Sequence, residues 1–190
     1  MIQYPLECRF KLFALTGKIT ITDAAQQSIL FIEQKLRLKE DVAVWTDSNK
    51  TKQLYRIRAD RIIDFNATYT ISDPAGTLVG TVQREGMRSL WKASYIIRNT
   101  AGEDVGLIHE ENPWLKVLDE LLSEIPFGGM LINPAYHVDL HGRPALYLKK
   151  RPALTERLFR VERLGTMTDE EEALLLNGIA IFMLLEKARG

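Results

Sequence analysis

Ala173-Leu-Leu-Leu-Asn-Gly-Ile-Ala-Ile-Phe-Met-Leu-Leu185 is apolar on every side, not along one stripe. A helix with that pattern is surrounded by protein or by lipid. The run is shorter than the about 20 apolar residues a membrane span needs, and it carries Asn177 inside it. Thr168 supplies an N-cap, and Asp169, Glu170 and Glu171 an acidic first turn suited to the helix dipole. Glu186, Lys187 and Arg189 restore polarity afterwards. A short helix over 169–187, sealed inside its own protein, is the expectation, and the rest of the chain has to enclose it.

Up to Arg163 the chain is written in short β-rich runs separated by Asp, Asn, Gly and Pro. Twelve candidate strands follow, at 6–15, 18–22, 28–36, 42–46, 53–59, 66–72, 77–84, 90–98, 104–110, 135–141, 144–150 and 157–164. Short strands at even spacing predict an all-β barrel or sandwich.

An internal repeat sharpens the reading. Tyr69-Thr-Ile-Ser-Asp-Pro-Ala-Gly76-Thr-Leu-Val-Gly80-Thr-Val82 aligns without gaps on Tyr95-Ile-Ile-Arg-Asn-Thr-Ala-Gly102-Glu-Asp-Val-Gly106-Leu-Ile108, with six of fourteen positions identical. Turn residues between β-branched runs spell a hairpin with a four- or five-residue loop. The same strand end recurs at Ile21-Thr22-Asp23 and Trp45-Thr46-Asp47, so the steps from Ile21 to Trp45, Ile71 and Ile97 are 24, 26 and 26 residues. Each step is one hairpin with its connection, and the chain meanders up and down. Solenoids seldom need a separate apolar helix, and propeller blades need about 40 residues each. A barrel of about eight strands fills its lumen with its own side chains, whereas a wider one must be plugged. Twelve strands leave room for one helix, and closed cans with a central helix are physically sound. The expected fold is a closed twelve-stranded antiparallel β-barrel around a central hydrophobic C-terminal helix, with residues 1–190 as a single domain.

One segment interrupts the β pattern. From Pro113 to Pro126, Trp114, Leu118, Leu121, Leu122 and Ile125 share one face at helical spacing, which predicts an extra helix at about 114–124. It is read as a cap on one mouth of the barrel or as a partner-docking helix.

The repeated β-Thr-Asp turns, the paired Tyr-x-Ile-x-Asp/Asn-x-Ala-Gly hairpins and the closing apolar helix resemble the tubby C-terminal-like superfamily. Within it the chain looks most like the LURP-one-related proteins and the phospholipid scramblase-like branch, from about Phe10 to Glu186. The resemblance implies a twelve-stranded barrel threaded by its C-terminal helix, and a binding module that takes phosphoinositides in a basic pocket. Scramblases also carry cysteine-rich lipidation and proline-rich segments and are associated with calcium. This chain has one cysteine, no proline-rich arm, and in Asp169–Glu172 no alternating ligand pattern. That acidic run is read as helix-cap electrostatics.

Lys149-Lys150-Arg151 is the densest basic run, with Arg84, Arg88 and Lys92 on the repeat. The resemblance implies an anionic headgroup site there, since Arg offers bidentate contacts to phosphate. Charged strand ends that blunt an edge would leave the same trace. His137-Val-Asp139-Leu-His141 places two imidazoles and a carboxylate on one strand face, a donor set suited to zinc and hence to a metal-dependent hydrolase. Successive members are about 7 Å apart along a strand, too far for one ion without a bend, so no metal is assigned.

Other chemistries lack their motifs. There is no Gly-x-Ser-x-Gly elbow, phosphate loop or dinucleotide fingerprint, and Cys8 has no nearby His in sequence. Lys plus Arg, at 25, equals Asp plus Glu, at 25, so no global field recruits nucleic acid. A single cysteine excludes an intrachain disulfide and suits a reducing compartment, and residues 1–7 lack a signal-peptide pattern. The expectation is a non-enzymatic cytoplasmic binding module without cofactor, reversibly attached to anionic phospholipid at a membrane surface or to a protein partner.

Overall fold

A computed structural model describes residues 2–11, 17–34, 42–60, 67–85, 94–111, 135–153 and 156–187. Twelve strands run in chain order: β1 (Leu6–Lys11), β2 (Gly17–Thr22), β3 (Ser28–Gln34), β4 (Val42–Trp45), β5 (Gln53–Ala59), β6 (Thr68–Ser72), β7 (Leu78–Glu85), β8 (Ser94–Arg98), β9 (Asp104–Glu110), β10 (Ala135–Leu140), β11 (Arg143–Arg151) and β12 (Glu156–Arg163). Every strand pairs antiparallel with its sequence neighbours, and β1 pairs with β12 (Leu6 opposite Val161, Lys11 opposite Glu156) to close the barrel. The helix α1 (Asp169–Lys187) is the one helix among the described residues. The extra helix expected at about 114–124 lies outside them, as do Arg88 and Lys92.

The pleat decides what faces the lumen. Residues of β2 alternate strictly, with Gly17, Ile19 and Ile21 buried and Lys18, Thr20 and Thr22 outside. The inward set of the other strands is mostly apolar, with Arg84 of β7 a buried exception, and from Leu174 to Leu185 every residue of α1 is buried. Phe182 sits at the centre of an aromatic cluster. Its ring lies 5.4 Å from Tyr95, 4.7 Å from Tyr136 and 6.2 Å from Phe159, centroid to centroid, in edge-on contacts. Those three partners come from β8, β10 and β12, so the helix is held by several parts of the wall at once.

One end of the barrel is built from four equivalent turns, each following a strand that ends in the expected signature. Asp23, Asp47, Asp73 and Asn99 each accept backbone N–H groups on a side-chain oxygen (for example Gln27 N at 2.9 Å and Thr77 N at 2.8 Å). The fourth residue of each turn donates its N–H to the first carbonyl: Gln26, Lys50, Gly76 and Gly102. These four have φ of 61°, 59°, 92° and 81°, the left-handed region that glycine enters at no steric cost. The 24- and 26-residue steps of the sequence are therefore spacings between Asx turns at one rim. The loop into α1 returns to the same rim.

Candidate functional site

The rim with the Asx turns surrounds the N-terminus of α1. Thr168 Oγ1 accepts from Glu171 N at 3.2 Å while the Glu171 carboxylate accepts from Thr168 N at 2.8 Å, a reciprocal capping box. That bond, followed by the His141 imidazole at 2.9 Å, holds the Glu171 carboxyl below the usual carboxylate range. Glu172, almost fully buried, accepts from the Tyr4 hydroxyl at 2.9 Å and from Arg163 at 3.4 Å. Burial first, then the bond to Glu172, pushes the Tyr4 phenol well above its ordinary value. The N-terminal segment is thereby clipped to the helix start.

Two cavities flank this first turn and share Tyr55 and Ala173. The larger, about 470 Å³, lies between Leu78, Val105, His141, Glu171 and Leu174. The smaller, about 290 Å³, runs down the other side past Asp169 and Glu172 to Asn177. Nothing in the sequence signalled either, because the walls of the larger come from β5, β7, β9, two rim turns and α1, and those of the smaller from β3, β5, α1 and the N-terminus.

The basic residues singled out in sequence do not form one cluster. Lys149 and Arg151 are exposed on the outer face of β11, and Lys150 between them lies opposite the buried Phe159, on the lumen side. Arg84 is buried on β7, four strands away round the barrel, beside Tyr69 and opposite Tyr95. The register instead places Arg160 of β12 directly across from Lys149. Strand pairing, invisible in a linear reading, supplies that third cation.

His137, Asp139 and His141 do not converge. His137 stacks on His109 of β9 at 5.7 Å and lies 3.8 Å from Glu111, Asp139 meets His109 at 3.1 Å, and His141 turns away to Glu171. His141 opens the β10–β11 turn with φ of 49°, which takes it off the strand face. Among the described residues no group of three His, Cys, Asp or Glu side chains is arranged to hold a metal ion. Cys8 is fully buried in the lumen, and burial pushes its thiol up to about 12, far from a reactive thiolate. Glu110 and Glu111 fall on opposite sides of the wall, since Glu110 opposes the buried Tyr136 while Glu111 reaches the outward Tyr147. The positions proposed for partner docking, Trp114, Leu118, Leu121, Leu122 and Ile125, lie outside the described residues.

No helix among the described residues is long and apolar enough to cross a membrane. Comparison with protein-family models, with curated proteins and with solved structures finds no match to this chain.

Proposed function

We propose that this chain is a non-enzymatic binding module that docks reversibly on anionic phospholipid, phosphoinositides included, through the outer face of β11 and β12. The observation that carries the reading is the pair Lys149 and Arg160, directly opposite each other on neighbouring strands, with Arg151 two residues along the same face. Like charges set opposite one another destabilise a sheet. The other such pair, Lys11 opposite Lys18, has carboxylates on both flanks: Lys18 bridges to Glu33 at 3.0 Å, and Lys11 faces Glu156. Lys149 has only Ala135 on its far side, and among the described residues neither Lys149 nor Arg151 makes an ion pair. Arg160 is held by Glu162 at 3.2 Å, which orients its guanidinium along the wall.

Arg160 is shared with Glu162 and has Glu7 of β1 opposite it, whereas Lys149 and Arg151 carry no carboxylate partner among the described residues, and those two cations fit an anionic partner. A phosphate monoester or diester suits them, with Arg offering a fork and Lys a point charge. The resemblance to tubby-like proteins adds the lipid headgroup as the form this phosphate takes, and makes the chain a cytoplasmic protein at a membrane surface.

Vesicle flotation tests the reading. Phosphatidylcholine vesicles carrying phosphatidylserine or a phosphoinositide are expected to float the protein at low salt, and plain phosphatidylcholine to leave it in solution. The double variant Lys149→Glu, Arg151→Glu is expected to weaken binding about thirtyfold, taking about 1 kcal/mol per basic residue at the surface. Equal flotation on neutral vesicles, or an unchanged double variant, overturns it.

A further inference from the structure

The outer face of β11 and β12 continues without a break onto β10 and β9. The register sets His109, His137, Tyr147 and Glu162 opposite one another on β9, β10, β11 and β12, in one row across four strands. The imidazoles of His109 and His137 stack at 5.7 Å, centroid to centroid, and the Tyr147 ring lies 5.1 Å from His137. The neighbouring row is Ala135, Lys149 and Arg160, so His137 is the diagonal neighbour of Lys149 across β10 and β11. Diagonal neighbours sit about 7–8 Å apart, within the screening length of roughly 8–10 Å.

Each imidazole has its own carboxylate. His109 Nε2 lies 3.1 Å from Asp139, and His137 Nε2 lies 3.8 Å from Glu111. The Glu111 carboxylate also accepts from the Tyr147 hydroxyl at 3.1 Å, so it leans across β10 towards the cations of β11. Few other charges face the pair among the described residues. On the far side of His109, β8 presents Ser94 and Ile96 to this face, and its Arg98 is bonded to Asp104 at 2.6 Å. On the far side of His137, β11 presents Tyr147 and Lys149, and Glu162 beyond them is held by Arg160 at 3.2 Å.

When both imidazoles are neutral, Asp139 and Glu111 leave two negative charges on the flank of Lys149 and Arg151. When both are protonated, each carboxylate is cancelled. Histidine is the side chain whose charge ordinarily changes between pH 5 and 8. The step makes the face more positive by two charges and asks for no movement of the backbone. Given phospholipid docking at β11 and β12, on which the rest depends, we infer that His109 and His137 are a proton sensor for that face. Their protonation tightens its hold on anionic phospholipid as pH falls.

Vesicle flotation at constant low salt, at pH 7.5 and at pH 5.5, tests the sensor. The vesicles are phosphatidylcholine with phosphatidylglycerol, a phosphodiester that keeps its single charge at both values. A phosphomonoester headgroup, with a second pKa of about 6, would titrate by itself. The unaltered protein is expected to bind about tenfold more tightly at pH 5.5, for two charges added near the surface. The double variant His109→Gln, His137→Gln is expected to bind alike at the two values, and each single variant to keep about a threefold response. The third histidine, His141, is bonded to Glu171 at the rim, and His141→Gln should respond as the unaltered protein does. Equal flotation at the two pH values, or weaker flotation at pH 5.5, overturns the sensor and leaves the docking face standing. No flotation at either pH overturns both. A full response kept by the double variant, or lost in His141→Gln, places the titrating group elsewhere and also overturns the sensor. If the double variant does not fold, the two single variants decide.

Discussion

Gly80 of β7 faces Leu174 of α1 so closely that a Cβ at position 80 would lie 2.7 Å from Leu174 Cδ1 and 2.5 Å from the Arg98 carbonyl oxygen. Gly106 is its counterpart in the internal repeat, and a Cβ there would lie 3.1 Å from Leu175 Cδ2. The shared Val-Gly of the two repeats is thus where the helix leans on the wall. Gly80→Ala is expected to destabilise the fold by about 2–3 kcal/mol, because a backbone oxygen cannot move aside as a side-chain tip can. Gly178→Ala on the helix side meets the Ile97 Cδ1 tip at 2.6 Å. There a rotamer change and about 1 kcal/mol of gained helix propensity should leave stability nearly unchanged. Urea unfolding of the two variants checks the contrast.

Phe182 touches aromatic rings from three strands, and its truncation leaves a void that no single neighbour can fill. Phe182→Ala is expected to cost about 3–5 kcal/mol. The loss should be read by denaturant midpoint at constant slope, since the unfolded chain exposes nearly the same surface.

The four rim turns ask for a left-handed fourth residue, and two of them supply a side chain there. Gln26→Gly should stabilise the protein by up to about 1 kcal/mol, and Gly76→Ala should destabilise it by about 1–2 kcal/mol. Thermal melts of both variants test whether the turns are equivalent, as their matched hydrogen bonds imply.

Cys8 gives the fold an alkaline limit. Its thiol is raised from 9.0 to about 12 by burial. The folded state therefore keeps its proton where the unfolded chain loses it. This contribution is fully present below pH 9.0 and is lost as pH rises through about 12. Within that window stability should fall by about 1.4 kcal/mol per pH unit from this group alone. Cys8→Ala should show a shallower alkaline limb in urea unfolding. A thiol reagent should label the folded protein only at its unfolding rate.

Glu33 sets the opposite limb. Lys50 and then Lys18, at 2.7 Å and 3.0 Å, hold its carboxyl down from 4.5 to about 2. The stability it adds is present above pH 4.5 and lost as pH falls through about 2. Glu33→Gln should flatten the acid dependence in that window, as followed by circular dichroism.

Much of this was legible in the linear chain. An all-round apolar run with a capping Thr predicts an enclosed helix, and period-2 alternation with Asx-turn chemistry at regular steps predicts a meander that must close around it. Those features are local: each depends on residues a few positions apart, whose chemistry fixes a turn, a cap or a pleat. Even the division of Lys149-Lys150-Arg151 follows from the pleat, which turns the middle residue inward.

Which residues face each other across paired strands was decided by the tertiary structure alone. The β11–β12 register sets Arg160 beside Lys149, and closure of β1 on β12 across most of the chain, with the N-terminal segment brought to the start of α1, seats Glu172 between Tyr4 and Arg163. The same holds for His109 against His137, and for the cavity that ends at Asn177. A side chain's type is written in the sequence, but its partner is chosen by packing between segments remote along the chain, and binding chemistry lives in those pairings.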